Sequence, residues 1–149
     1  MIFRGKRVLI TGGTGSLGRN LVRRIMTGEA GMPAKVVIFS RDEDKQYSMR
    51  LEWKNEKVAT DDVAYRDADG ILHFCIGDVR DYESVARSVS EVDIIIHAAA
   101  LKQSPICEYF PYESLKTNVL GVQNVIRAVA EIKNSVEAVL AVSTDKACK

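Results

Sequence analysis

Three glycines spaced Gly-x-x-Gly-x-x-Gly, at Gly12, Gly15 and Gly18, follow the apolar run Val8-Leu9-Ile10 and precede Leu17, Leu21, Val22 and Ile25, which share one face of a helix. A strand, a glycine turn and a helix start, in that order, can hold a phosphate. Gly12 and Gly15 are expected in dihedrals that a Cβ forbids, and Gly18 where the helix lies close against the sheet. Thr14, Ser16 and Leu17 complete the loop. The helix start then aims unpaired N–H groups and the positive end of its dipole at an anion. The spacing is not the Gly-x-Gly-x-x-Gly of the common dehydrogenase fingerprint, and the Gly-Lys-Ser/Thr ending of a P-loop is absent. The guest expected is therefore the pyrophosphate of a dinucleotide.

Two further groups bear chemistry. About 20 residues beyond the glycines, where an NAD site carries Asp or Glu for the ribose 2′-hydroxyl, stands Ser40-Arg41. A guanidinium can grip a phosphate bidentately, so NADP is the expected cofactor, with NAD the alternative through Asp42. A local role competes for Ser40: with Glu43 it forms a capping-box pattern that leaves Arg41 solvated. Near the C-terminus, Ser143-Thr144-Asp145-Lys146 sets a carboxyl beside an amine. Such a pair can serve as acid and base if the lysine's pKa is lowered by burial or cationic neighbours. By spacing alone it reads as a surface pair after a strand.

The elements that must position these groups are legible as five apolar runs: 7–11, 35–40, 71–76, 93–97 and 138–143. They are continuous rather than alternating, the mark of strands covered on both faces in a parallel sheet. Helices are expected over 16–27, 42 to about 56, 82–89 and 111 to about 132. The fold class is α/β, a Rossmann-type doubly wound parallel sheet of order 3-2-1-4-5 in a single domain over 1–149. Its crevice lies beyond the strand carboxyl ends, where the glycine loop, Ser40-Arg41, Gly77-Asp78-Val79, Ala98-Ala99-Ala100 and Ser143 to Lys146 meet. No helix follows the fifth run, so Val139, Leu140 and Val142 are expected to lack cover on at least one face and to drive self-association. The polar stretch Lys57 to Gly70 matches no calcium-loop spacing and reads as solvated, with no metal site.

Composition narrows the partners. Lys and Arg number 21 against 20 Asp and Glu, a balance that gives no reason to expect nucleic acid or an anionic membrane as partner. Cys75, Cys107 and Cys148 form no Cys-x-x-Cys and no even framework, so reduced thiols in a cytoplasmic protein are expected. The first ten residues are too short and too charged for a signal peptide. No apolar run approaches the roughly 20 residues of a membrane span.

Thr11 to Gly18, Ser40-Arg41-Asp42-Glu43, Gly77-Asp78-Val79-Arg80-Asp81, His97-Ala98-Ala99-Ala100-Leu101-Lys102-Gln103, Thr117-Asn118-Val119-Leu120-Gly121 and Ser143-Thr144-Asp145-Lys146-Ala147 span nearly the whole chain. Together they resemble the extended short-chain dehydrogenase/reductases, and within them the nucleotide-sugar 4,6-dehydratases of bacterial polysaccharide and glycan biosynthesis, typified by the UDP-N-acetylglucosamine enzyme. The His-Ala-Ala-Ala-Leu-Lys-Gln and Ser-Thr-Asp-Lys-Ala strings are the most specific. The resemblance implies that Asp78 and Val79 hold the adenine, that Ala98, Ala99 and Ala100 line the cofactor, and that Asn118 supports the site. It places Lys102 near a phosphate of cofactor or substrate and Ser143 at the cofactor. It makes Asp145 the acid and Lys146 the base of water loss across sugar C5 and C6, with Thr144 on the C4 hydroxyl; the lysine points to the C5-inverting branch. It also implies a homo-oligomer formed through helices beside the sheet. Family members continue with a Tyr-x-x-x-Lys segment and a nucleotide-sugar-binding region, and the chain ends before both. These 149 residues are thus expected to be the cofactor half of the enzyme, inactive or nearly so alone. A nucleotide-sugar epimerase or reductase, and a stand-alone NADP-binding module, are the competing readings. His97, at the end of an apolar run, reads as a core residue.

Overall fold

The computed structural model describes residues 1–59 and 70–143, with residues 54–59 by their backbone alone. The five apolar runs form one parallel sheet of β1 (Arg7–Thr11), β2 (Lys35–Ser40), β3 (Leu72–Ile76), β4 (Ile94–His97) and β5 (Ala138–Ala141), in the order β3-β2-β1-β4-β5. This is the Rossmann-type, doubly wound order expected from the sequence. The register sets Ile10 level with Ile38 on one side and Ile96 on the other.

The connecting helices are α1 (Ser16–Met26), α2 (Glu43–Ala59), α3 (Tyr82–Val89), α4 (Ser104–Tyr109), α5 (Pro111–Leu115) and α6 (Gly121–Glu131). Because successive strand side chains point to opposite faces, each central strand feeds two cores. Val8, Ile10, Val36, Ile38, Ile94 and Ile96 meet Val22 and Ile25 of α1 and Met49 of α2. Leu9, Val37, Phe39 and Ile95 meet Val85 and Val89 of α3 and Val125 and Ala128 of α6. Both faces need apolar residues, which is why the runs are continuous. Burying each large side chain contributes roughly 1.5–3 kcal/mol, so the three central strands carry most of the stability.

Three departures from the sequence reading have physical causes. The long helix expected over 111–132 is broken by a π-helical turn, Lys116–Leu120, that joins α5 to α6. The short α4, with Pro105 in its first turn, was not anticipated because it buries no residue and so shows no apolar period. The fifth strand ends at Ala141 rather than Ser143, although the Val142 N–H still donates to the His97 carbonyl at 3.0 Å. All four β5 residues are exposed, with Leu140 at 60%, as expected for an edge strand that no described helix covers.

At the amino ends of the strands the charges pair with one another. Asp93 accepts from the Arg7 backbone N–H at 2.8 Å, from Arg7 Nη2 at 2.6 Å and from the Ser135 hydroxyl at 2.9 Å. Those hydrogen bonds, Arg7's first among them, hold the Asp93 carboxyl well below the usual carboxylate range. Lys6–Glu137 at 2.5 Å and Lys35–Glu91 at 3.4 Å extend the belt across β1, β2, β4 and β5.

Candidate functional site

The carboxyl ends of the strands open into a cleft of about 590 Å³. Its floor is the glycine loop. Gly12 sits at φ +68°, a left-handed conformation, and a Cβ there would lie 2.8 Å from Ala99 Cα. Gly15 departs from the expectation: its φ is −73°, ordinary for any residue, and its lack of a side chain matters for space beside the Gly12 carbonyl. A Cβ on Gly18 would come within 2.5 Å of Gly13, so the close approach it permits is to the loop itself. Gly13 in turn packs on Ile38 and links loop to sheet.

Helix α1 starts at Ser16 with Gly15 as its N-cap and no side chain capping it. No acidic residue occupies its first turn. Thr14, Ser16 and Leu17 border the cleft, and no side chain takes the first N–H groups of α1 there. This cradle suits a phosphate diester: the space is kept open by missing Cβ atoms and the donors are preset.

Arg19, which the sequence reading passed over, braces this floor. Its Nε donates to the Thr14 carbonyl at 3.1 Å, and its Nη1 reaches both Glu52 carboxylate oxygens at 2.7 and 2.6 Å. The glycine loop is thereby tied to α2. A cation directly after the last glycine was the available signal.

At the end of β2, Ser40 and Arg41 both line the cleft. Ser40 is not the cap of α2, contrary to the capping-box pattern. Asp42 takes that role, its Oδ1 accepting from the Lys45 N–H at 2.9 Å while its Oδ2 pairs with Lys45 Nζ at 2.7 Å. The Lys45 hydrogen bonds hold the Asp42 carboxyl below its usual value. Asp42 is thus engaged within its own helix turn. Arg41 is half exposed and stands 3.8 Å from Asp78, whose carboxylate is bound more tightly by Arg80 at 2.6 Å.

Beyond β3, Val79 lines the cleft and is buried, whereas Asp78 does not line it. Burial alone would raise the Asp78 pKa, but hydrogen bonds from the Arg80 side chain and backbone N–H bring it below normal. Beyond β4, Ala98, Ala99, Ala100 and Lys102 form the far wall. The wall is pinned twice. The Ala99 N–H donates to Thr11 Oγ1 at 3.3 Å, and that oxygen lies 2.8 Å from His97 Nδ1. The Asn118 amide makes two hydrogen bonds with the Leu101 backbone, accepting from its N–H and donating to its carbonyl, each at 2.8 Å. Asn118 sits on the π-helical turn, a distortion frequent at functional sites, and acts by holding the loop rather than by lining the cleft. His97 is buried, as read from the sequence, and burial lowers its pKa, so the ring is neutral.

Lys45, Gln103 and Thr117 also border the cleft. Lys45 lies one helical turn beyond Arg41 and was discoverable by that spacing. Gln103 and Thr117 carry no local signal, since only the packing of α4 and the π-helical turn brings them there. Ser143 is described and exposed but does not line the cleft. Thr144, Asp145, Lys146 and Cys148 lie outside the described residues, as do the acids at 61, 62, 67 and 69 of the polar stretch. Among the described residues, no helix is long and apolar enough to cross a membrane.

A doubly wound sheet whose switch-point crevice is floored by an uncapped helix start defines a Rossmann-type protein. Its family follows from comparison: the chain belongs to the polysaccharide biosynthesis protein family, whose model matches residues 8–149. It is 45% identical over 147 residues to a UDP-glucose 4-epimerase of Rickettsia canadensis, covering 98% of this chain and 38% of that protein. It is 42% identical to an inverting UDP-N-acetylglucosamine 4,6-dehydratase of Campylobacter jejuni, covering 99% of this chain and 39% of that protein. A crystal structure of the dTDP-glucose 4,6-dehydratase DesIV from Streptomyces venezuelae, with NAD bound, matches with a TM-score of 0.68 at 27% identity, covering 93% of this chain and 39% of DesIV. The chain spans about two-fifths of the length of these proteins.

Proposed function

We propose that this chain is the NADP-binding part of a nucleotide-sugar 4,6-dehydratase acting on a UDP-N-acetylglucosamine-class substrate in polysaccharide or glycan biosynthesis. The observation that carries the reading is the convergence of the uncapped start of α1, Ser40-Arg41 and the alanine wall on one cleft. Bound there, the cofactor supplies a hydride acceptor for the sugar C4.

Each part of the cofactor has a matching surface. The N–H groups at Ser16 and Leu17 hold the pyrophosphate. Arg41 and Ser40 hold the ribose 2′-phosphate, and the charge of Asp42, which also borders the cleft, is offset there by Lys45. Val79 borders the adenine, with Asp78 steadied by Arg80 beside it. Ala98 to Ala100 leave room for the nicotinamide half, and Lys102 offers a cation to a phosphate. Asp145 protonates the departing C6 hydroxyl, Lys146 removes the C5 proton and Thr144 binds the C4 hydroxyl, roles that follow from the resemblance.

The identity to UDP-glucose 4-epimerases supports a second reading, an epimerase on the same fold. The test uses the protein with whatever sequence follows Lys149 in its reading frame, incubated with UDP-N-acetylglucosamine. A 4-keto-6-deoxy product is expected. A C4 epimer without loss of water would replace the dehydratase reading with the epimerase one. We further propose a cytoplasmic homo-oligomer; the exposed β5 edge of this chain adds a self-association surface to it.

A further inference from the structure

Gln46, on the first turns of α2, is buried with 5% of its surface exposed, and no role follows for it from the glycine loop or from the residues at the strand ends. Its Nε2 donates to the Cys75 carbonyl at 2.8 Å and lies 3.0 Å from both the Ser40 carbonyl and Ser40 Oγ. Two main-chain carbonyls face this nitrogen, and carbonyls only accept, so the amide can be oriented in one way: NH2 toward Ser40 and Cys75. It joins the ends of β2 and β3.

The consequence falls on Ser40. Nε2 shares two protons among three acceptors and accepts nothing itself, so the Ser40 proton cannot be given to Gln46 and must point elsewhere. Among the described residues Ser40 Oγ donates to no protein group, while Ser40 borders the cleft next to Arg41. We infer that Gln46 is a specificity-determining positioning residue: it holds Ser40 at the cleft with the hydroxyl proton left for a ligand acceptor, matched to a phosphate monoester on the cofactor ribose. A phosphate dianion offers acceptors only and pairs with that donor. A hydrogen bond from Ser40 to a phosphate dianion is charge-assisted, whereas one to a neutral 2′-hydroxyl is not, so the donor favours the phosphorylated ribose. The inference rests on the NADP reading of the site and explains how a side chain that never touches the cofactor contributes to it.

The experiment is a double-mutant cycle read by calorimetric titration of NADP+ and NAD+ into the wild-type protein, Ser40→Ala, Gln46→Met and the double variant. Wild type is expected to favour NADP+. Ser40→Ala and Gln46→Met should each weaken NADP+ about 5- to 10-fold and leave NAD+ within about 2-fold, a size appropriate to one hydrogen bond to a charged group. The double variant should be no weaker than either single one, since both remove the same donor. Equal wild-type affinities for the two nucleotides would overturn the NADP reading and this inference with it. A wild-type preference that Gln46→Met leaves intact, a loss shared equally by both nucleotides, or additive losses in the double variant would overturn the inference alone. If Gln46→Met does not fold, Ser40→Ala decides: an unchanged NADP+ preference in that variant rejects a ligand-directed donor at Ser40.

Discussion

The two ends of the sheet use their polar groups in opposite ways. At the amino ends Arg7, Lys6 and Lys35 meet Asp93, Glu137 and Glu91, and the backbone donor of Arg7 is satisfied by the same carboxylate as its guanidinium. At the carboxyl ends the start of α1 has no capping side chain, the Ser40 hydroxyl has no acceptor, and Lys102 has no ion pair among the described residues. One end is closed on itself and the other is left incomplete. A fold leaves donors unmet where solvent or a ligand meets them, and the asymmetry supports the proposed ligand site at the carboxyl end.

The largest expected effect breaks the open end alone. Gly18→Ala places a Cβ 2.5 Å from the Gly13 backbone and must deform the loop. Dinucleotide affinity should fall more than about 100-fold, with the circular dichroism spectrum retained. An affinity within about 3-fold of wild type would show that the loop does not hold the ligand.

The converse variant breaks the closed end. Asp93→Ala removes the carboxylate shared by Arg7 and Ser135 and should lower the midpoint of thermal unfolding by on the order of 5 °C, with NADP+ affinity unchanged. A loss of affinity on the same scale as the loss of stability would show that the two ends are coupled.

Within the cleft, Arg41→Ala should narrow the gap between NADP+ and NAD+ by on the order of 1–3 kcal/mol, because the 3.8 Å contact to Asp78 leaves the guanidinium available. Calorimetry on both nucleotides reads this directly. An unchanged gap would remove Arg41 from the phosphate site.

A pH series sharpens the comparison further. His97 is neutral in the fold because burial lowers its pKa, whereas the unfolded chain takes up the proton near pH 6.5. Stability should therefore be full above that pH and decline as pH falls below it, and His97→Asn should flatten the decline. Asp93 acts in a lower window: its folded carboxyl titrates below the unfolded one, so its contribution is present above about pH 4 and lost as pH falls further. Denaturant midpoints from pH 7 to 3 separate the two steps, and a profile flat from pH 7 to 5 would contradict the His97 assignment.

The smallest effect concerns the exposed edge. Light scattering on the chain should show self-association at high concentration, reduced by Leu140→Lys, since Val139, Leu140 and Val142 lie bare beside an unpaired strand edge. A monodisperse monomer would remove β5 as a contact surface.

The strand order, the two-sided core and most of the cleft were legible from residue order alone. The reason is that these depend on short-range signals: continuous β-branched runs, a glycine triplet between a strand and a helix, and an Arg following the second strand. Residue order did not determine which hydrogen-bonding groups are occupied. Ser40 could be a cap or a ligand donor by its spacing to Glu43, and only the path of the chain, with Asp42 capping α2 and Gln46 reaching both Ser40 and Cys75, decides between them. Arg19, Gln103, Thr117 and the clamp of Asn118 on Leu101 were likewise settled by tertiary packing. Periodicity reports which face of an element is buried; the partner of each polar atom depends on residues far apart in the chain, and that information exists only once the layers are assembled.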